Sequence, residues 1–345
     1  MSDPTPDPEP APALGKLDRA FLERHVYPNL GATRSDVLVG PRHGVDFGVL
    51  EVGGECVVTA TDPLSILPAL GLERAGRLAL DICLTDVAVS GVGPTHVAVA
   101  LTLPPEMTDD EVARVWRGMA DHAESLGVSV VTGHTGRYSG VASSWVGAAT
   151  GFGVGDPADV VRPDGARPGD ALVVSTGPAA EVAGLFATLF GDRLDLPAAV
   201  LATARERVDD IAAVADARAA FAAGEVTAMH DATEGGVAGG LVEMARGAGV
   251  RFDVDRSAVP MAPGVDAVCT AVDVDPWHVT SCGTLLLSAA PADAEAVVAA
   301  LEDRGTPAAV VGEVSAGEGV YVDGEHVEHP DVDPSWAVYR ALSEE

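Results

Sequence analysis

The stretch that most constrains the fold is residues 61–94, TDPLSILPALGLERAGRLALDICLTDVAVSGVGP. From Leu72 to Val89 it is apolar nearly all round, which predicts a buried helix crossing its domain. Asp62 and Asp86 stand about a helix apart, each after an apolar segment and before small or turn-forming residues. Buried carboxylates seldom lack a partner, so the two are candidates for holding a metal or for capping hydrogen-bonded turns.

With 345 residues the chain can build two medium domains, each with its own core. Its 52 Asp and Glu against 21 Lys and Arg give a net charge of -31, yet apolar segments recur throughout, so the chain is not a disordered acidic one. Lys16 is the only lysine. A folded, acid-rich, lysine-poor surface suits a halophilic cytoplasm, where concentrated salt screens the self-repulsion. The same charge argues against nucleic acid and anionic membranes as partners, because phosphate binding needs clustered Lys and Arg. Any phosphate site therefore has to use metal ions or backbone N–H groups. The one lysine kept in such a composition is a candidate point contact to phosphate. Cys56, Cys83, Cys269 and Cys282 form no C-x-x-C pair and read as free thiols of a reducing compartment rather than zinc ligands. The acidic, Pro-rich start and the lack of a spanning apolar run predict a cytoplasmic protein.

Residues 1–13 read as a flexible acidic tail, 14–155 as an N-terminal domain and 156–345 as a C-terminal domain, with the boundary in the Pro-, Gly- and Asp-rich 156–170. Leu14 to Leu30 has helical spacing closed by Pro28, which places Lys16 in a first helical turn. Short strands follow: VLVG, VDFGVLEV with Asp46 inside it, a Gly53–Gly54 hairpin, then ECVVTATD. After the buried helix come the strand THVAVALTLP and a helix opened by the capping box Thr108–Glu111 and closed by Gly127. VSVVTG is expected as a buried strand, and another strand runs through Trp145 to Gly155. The pattern then restarts with strand ALVVSTG and a helix from Ala179 to Phe190. A long Ala- and Arg-rich helix from about Leu201 to Ala223, the strand VTAMHD and a helix from Val237 to Ala248 follow. RFDVD, GTLLLSAA, a helix from Asp293 to Asp303, AAVVGEV and the hairpin GVYVDGEHV complete the chain. Strands and helices in both halves without strict βαβ alternation indicate two α+β domains.

Four of these elements run into an acid or histidine followed by small residues: Asp62, Asp86, Gly133-His134-Thr135, and His230-Asp231-Ala232-Thr233-Glu234-Gly235-Gly236. In the last, glycines opening a helix expose backbone N–H groups at its positive end, and the adjacent Asp231 can hold a cation that bridges to phosphate. No Walker loop, G-x-G-x-x-G or G-x-S-x-G is present.

The order TDPLS, TDVAVSGVGP, TGHTG, MHDATEGGVAGGLVEMA and SCGTLLLSA resembles the aminoimidazole ribonucleotide (AIR) synthetase, or PurM, superfamily. Within it the chain is similar to archaeal AIR synthase-related proteins akin to the hydrogenase maturation protein HypE, over almost its whole length from Leu14. The resemblance implies a two-domain α+β PurM-like fold. Its N-terminal sheet would form a barrel with that of a second subunit, and its C-terminal α+β domain would close the cleft. It implies ATP and Mg2+ as cofactors and phosphoryl transfer to a small oxygen nucleophile of the amide or carboxamide type. Matched motif to motif, Asp46, Asp62, Asp86 and Asp231 are the metal ligands, and Thr135 and the Gly235–Gly236 turn face the nucleotide. Lys16, His134 and Asp231 are the candidate catalytic groups. Expected partners are a small-molecule substrate, a second copy of the chain and a maturation partner protein.

The chain departs from the pattern in two places. His134 replaces an acid common among relatives, and ALSEE ends the chain with no cysteine after Cys282, against thiocarboxamide-to-thiocyanate chemistry. A thiamine monophosphate kinase and a non-catalytic nucleotide-binding scaffold are the alternative readings.

Overall fold

A computed structural model describes residues 14–17, 19–330 and 332–344. The expected tail over residues 1–13 lies outside the described residues.

The first sheet has six strands: β1 (Val37–Val39), β2 (Gly48–Val52), β3 (Glu55–Ser65), β4 (Pro94–Leu103), β5 (Ser129–Arg137) and β6 (Trp145–Gly155), in the order β1-β2-β3-β6-β4-β5. The Gly53–Gly54 turn works as the hairpin between β2 and β3, both glycines at positive φ. A short α1 (Arg19–Phe21) precedes the sheet and runs into a π-helical turn, Leu22–Val26, and a 3-10 turn, Tyr27–Asn29. Lys16 therefore precedes the helix instead of opening it. Asp46 likewise lies just before β2, not within it, because the chain doubles back through an Arg42–Val45 bridge with Gly44 at φ +74°.

Two helices cover the sheet. In α2 (Leu72–Ala88) apolar residues on every side are buried, as its composition predicts. In α3 (Asp109–Leu126) Thr108 and Glu111 form the capping box and Gly127 takes the left-handed C-cap. The two cross at near backbone contact, since a Cβ on Gly118 would fall on the Glu73 carbonyl and one on Gly76 on the Val115 carbonyl. Only glycine permits that approach.

β5 corrects the expectation of a buried strand: it is exposed along almost its whole length, with Val130 and Val131 at the surface. Its apolar run reads like an interior strand, but β5 is the edge of the sheet and has β4 on one side only.

The second sheet comprises β7 (Ala171–Ser175), β8 (Val226–Asp231), β9 (Arg251–Val254), β10 (Leu285–Ala289), β11 (Ala308–Ser315), β12 (Gly319–Val322) and β13 (Glu325–Val327), in the order β13-β12-β9-β11-β7-β10-β8. Its helices are α4 (Ala180–Leu189), α5 (Ala198–Glu206), α6 (Val214–Ala223), α7 (Gly236–Ala248), α8 (Val265–Ala271), α9 (Ala294–Glu302) and α10 (Pro334–Glu344). The long helix expected over 201–223 is broken by a 3-10 turn, Arg207–Ile211, between α5 and α6. Val208 and Ile211 turn inward there onto Leu78 of α2, and the buried Asp81 carboxylate accepts the Ala213 N–H at 2.7 Å. Tertiary packing overrides a continuous helical propensity. Asp81 also binds His122 Nε2 of α3 at 2.6 Å, and one apolar core runs from α2 and the first sheet into β8, β10 and α6.

Candidate active site

The site forms where the end of β8, the loop before β2 and the C-terminal turn of α2 meet. All six residues of β8 are buried, and its register against β10 sets His230 opposite Leu286 and Asp231 opposite Leu285. Asp46 reaches in from the first sheet: its Oδ2 lies 3.0 Å from His230 Nδ1, and Asp231 Oδ1 lies 3.8 Å from that nitrogen. These three atoms are buried, and none makes an aligned hydrogen bond. Two buried carboxylate oxygens that share a single ring nitrogen keep lone pairs to spare, which is what a cation-holding pocket presents.

Asp86 and Asp62 belong to the same electrostatic cluster. Burial pushes the Asp86 carboxyl well above the usual range, and Asp231, Asp62 and Asp46 push it further. Its place in the last turn of α2, at the negative end of the helix, adds to the cost of its charge. Asp62 is raised by burial and by Asp46, with Lys16 opposing, and Asp231 is pushed up to about 6 by burial and then by Asp46. Asp46 goes the other way: burial opposes its charge, but His230 and Lys16 outweigh it and hold the carboxyl below the ordinary value. The four carboxylates thus share one field in which negative charge outweighs the positive charge of His230 and Lys16.

Lys16 supplies part of that charge. Although part of the residue is open to solvent, burial of the ammonium opposes its charge. Asp46, Asp86, Asp231 and Glu243 overcome this and raise its pKa above that of an ordinary lysine. Its Nζ donates to Thr233 Oγ1 at 3.0 Å and its backbone N–H to Glu234 Oε2 at 2.8 Å, which clips the N-terminal segment onto the turn between β8 and α7. Gly15, at φ +103°, fits between Glu234 and Trp336, where a Cβ would come within 2.5 Å of Glu234 Oε2 and 2.7 Å of Trp336 Nε1.

Gly235 and Gly236 open α7 at φ +87° and +64°. Both amides are engaged within the chain: Gly236 donates to the Thr233 carbonyl, and Gly235 donates to the buried carboxylate of Asp333 at 2.9 Å. An internal anion thus sits at the positive end of the helix expected to receive a phosphate.

His134 and Thr135 stand apart from the carboxylates within one chain. Asp62 is level with Ala149 on β6, which is level with Val99 on β4 and so with Gly133 on β5. Three strand spacings, roughly 14 Å, separate β3 from β5. His134 is exposed and hydrogen-bonded to the Tyr138 hydroxyl at 2.6 Å, and Thr135 lines a hollow with Trp116 and Arg137 under α3.

His230 and Glu243 are central residues that the sequence reading left out. His230 Nε2 is 3.0 Å from Glu243 Oε2, and burial opposes the charge of His230 while Asp46 and Glu243 raise its pKa well above the ordinary value. The histidine beside Asp231 at a strand end was the available signal. Glu243 gave little, since it lies within the amphipathic pattern of α7.

Two sheets joined through a buried cluster of carboxylates define a two-domain PurM-like α+β fold. Residues 44–154 match the N-terminal domain of AIR synthase related protein, and residues 167–325 match its C-terminal domain. The carbamoyl dehydratase HypE of Rhizobium leguminosarum bv. viciae is 30% identical over 298 residues, covering 81% of this chain and 80% of that protein. The putative hydrogenase expression/formation protein MJ0676 of Methanocaldococcus jannaschii is 24% identical over 304 residues, 87% of this chain and 88% of that protein. The structure of hydrogenase maturation protein HypE in complex with ATP is similar with a TM-score of 0.66 and 25% identity, covering 90% of this chain and 93% of that one. The chain belongs to the AIR synthase related family and is an enzyme of it. Among the described residues no helix is long and apolar enough to cross a membrane.

Proposed function

We propose that this chain is an ATP- and magnesium-dependent phosphoryl-transfer enzyme that activates a small oxygen nucleophile of the amide or carboxamide class. The observation that carries the reading is the convergence of Asp46, Asp62, Asp86 and Asp231, from a loop, a strand and a helix of the first half and a strand of the second, around one lysine. A HypE solved with ATP supports the nucleotide.

The buried, hydrogen-bond-free oxygens of Asp46 and Asp231 fit a cation, and the carboxylate-rich donor set favours a hard one. Asp62, Asp86 and Asp231 would hold magnesium, with Asp46 shared between the ion and His230. Bound magnesium neutralises the polyphosphate and the charge developing on the transferred group. His230 fixes the orientation of Asp46 from one side while Glu243 holds His230 from the other. Lys16 presents a point charge to a phosphate oxygen from the turn where Thr233 anchors it.

In this proposal residues 14–155 form the nucleotide-binding domain and 156–345 the domain that closes on it. Pairing of β5 edges in a homodimer covers Val130 and Val131 and puts His134 and Thr135 at the subunit interface rather than in the chain's own cleft. Kinship with hydrogenase maturation proteins adds a maturation partner protein to the expected partners.

The test is Asp62→Asn and Asp86→Asn. Each is expected to weaken magnesium-dependent ATP binding by about a hundredfold or more, on the scale of lost metal ligation, with an unchanged circular dichroism spectrum. Wild-type nucleotide affinity in both variants would overturn the reading.

A further inference from the structure

Beside the carboxylate cluster lies a second convergence of ligand-type atoms, which shares with the proposed phosphoryl-transfer site only Glu243, through its other oxygen. His43 comes from the loop before β2, Glu243 from α7, and His329 from the segment after β13. His43 Nδ1 lies 3.3 Å and His329 Nε2 3.5 Å from the same oxygen, Glu243 Oε1, and all three atoms lie within 4.8 Å of one another. Both contacts are long, and Glu243 Oε1 is shared between the two rings. The other carboxylate oxygen, Oε2, is bonded to His230, so Oε1 is left to face the two imidazoles.

The tautomer of His329 sharpens the point. Its Nδ1 is 2.7 Å from the Pro330 carbonyl oxygen, which can only accept, so Nδ1 carries a proton. With Nδ1 so occupied, Nε2 is the nitrogen that faces the carboxylate oxygen, and it carries there either a second proton, which Glu243 favours by raising the His329 pKa above the ordinary value, or a metal ion in that proton's place. A ring N–H given to a backbone carbonyl is also the usual outer-shell support of a metal-binding histidine. The two distances to Glu243 Oε1 also suit a shared ion, since bonds of ~2.0–2.1 Å in a tetrahedron place ligand atoms ~3.3 Å apart. Room for the third ligand comes from α7, where Gly239 lies one turn before Glu243 and a Cβ there would come within 3.3 Å of His329 Nε2.

We propose that His43 Nδ1, Glu243 Oε1 and His329 Nε2 form a binding site for a zinc-class divalent transition metal, with water in the fourth position. Two imidazole nitrogens with one carboxylate select borderline cations over magnesium or calcium. The ion ties together three segments far apart in sequence. One of them holds Asp46 three residues after His43, so metal at this site stiffens the loop that delivers a carboxylate to the neighbouring cluster.

The test is equilibrium dialysis of the full chain against Zn2+ in excess Mg2+, with Co2+ as an optical probe. The wild type is expected to retain one zinc that His43→Ala and His329→Ala each bind at least about tenfold more weakly. Asp231→Asn is expected to keep it. Co2+ is expected to give tetrahedral visible bands in the wild type, and these should vanish in His329→Ala. The bulk-preserving His43→Gln and His329→Gln serve if an alanine variant misfolds, and Zn2+ should raise the thermal midpoint of the wild type but not of the Gln pair. Absence of retained zinc, or equal zinc in the wild type and a folded double variant, would overturn the proposal.

Discussion

Asp86 is opposed on three counts, by burial, by the negative end of α2 and by neighbouring carboxylates. Asp62 and Asp231 share its predicament, and all three have folded-state pKa values above those of an unfolded chain. The native state therefore holds these protons more tightly. The stability they contribute is full below the unfolded carboxylate range and is lost as pH rises through the folded values, about 6 for Asp231. His230, also raised, acts in the same direction above the ordinary histidine value. Metal-free protein is thus expected to melt a few degrees higher at about pH 5 than at about pH 7.5. Asp231→Asn should flatten that slope, and so should magnesium. Calorimetry with and without chelator checks it; a midpoint indifferent to both pH and magnesium would count against mutual repulsion in the cluster.

At the scale of elements, the start of α7 is closed by the chain itself. Asp333 accepts from Gly235 and, through its other oxygen, from Ser335 N–H at 2.8 Å and Ser335 Oγ at 2.6 Å, so one side chain both caps α7 and starts α10. A phosphate approaching the Gly235 amide has to displace that carboxylate. Asp333→Asn is expected to tighten ATP binding about tenfold, the worth of a charge-assisted hydrogen bond no longer in competition. Titration calorimetry reads this directly, and weaker binding in a folded variant would show that Asp333 supports the nucleotide site instead.

Elements whose partners lie close in sequence were legible. α2 announced itself by burial on every side, α3 by its capping box, and β6 by its length between turn signals. β5 was misread because an apolar run does not say whether a strand is central or at an edge. The break between α5 and α6 depends on Asp81, 132 residues from Ala213, which no local pattern reports. α10 was missed although Asp333-Pro334, a capping acid followed by proline at the first helical position, marks its start. In the site, the aspartates at element ends were legible from their flanking small residues. His230 and Glu243 were not, because their role exists only once α7 is folded against β8.

At the scale of the whole molecule, the edge of the first sheet is unfinished. Val130 is 42% and Val131 55% exposed on an edge strand, the kind of edge that pairs with another chain unless it is blocked. The chain is expected to sediment at twice its own mass, and Val131→Arg at the mass of one chain with its fold kept. A wild-type monomer at working concentrations would remove the proposed barrel. The net charge of -31 makes both species sensitive to ionic strength, so the comparison belongs in concentrated salt.

Asp81 gives the helix beneath the cluster two anchors at once: His122 on the first-sheet side and the Ala213 amide on the second. A hinge between the halves would have to pass through α2 and shear one of those bonds in the dry interior. Closure of one half on the other therefore has to carry both anchors along or break one, which makes the Asp81 carboxylate the point where such a motion meets resistance.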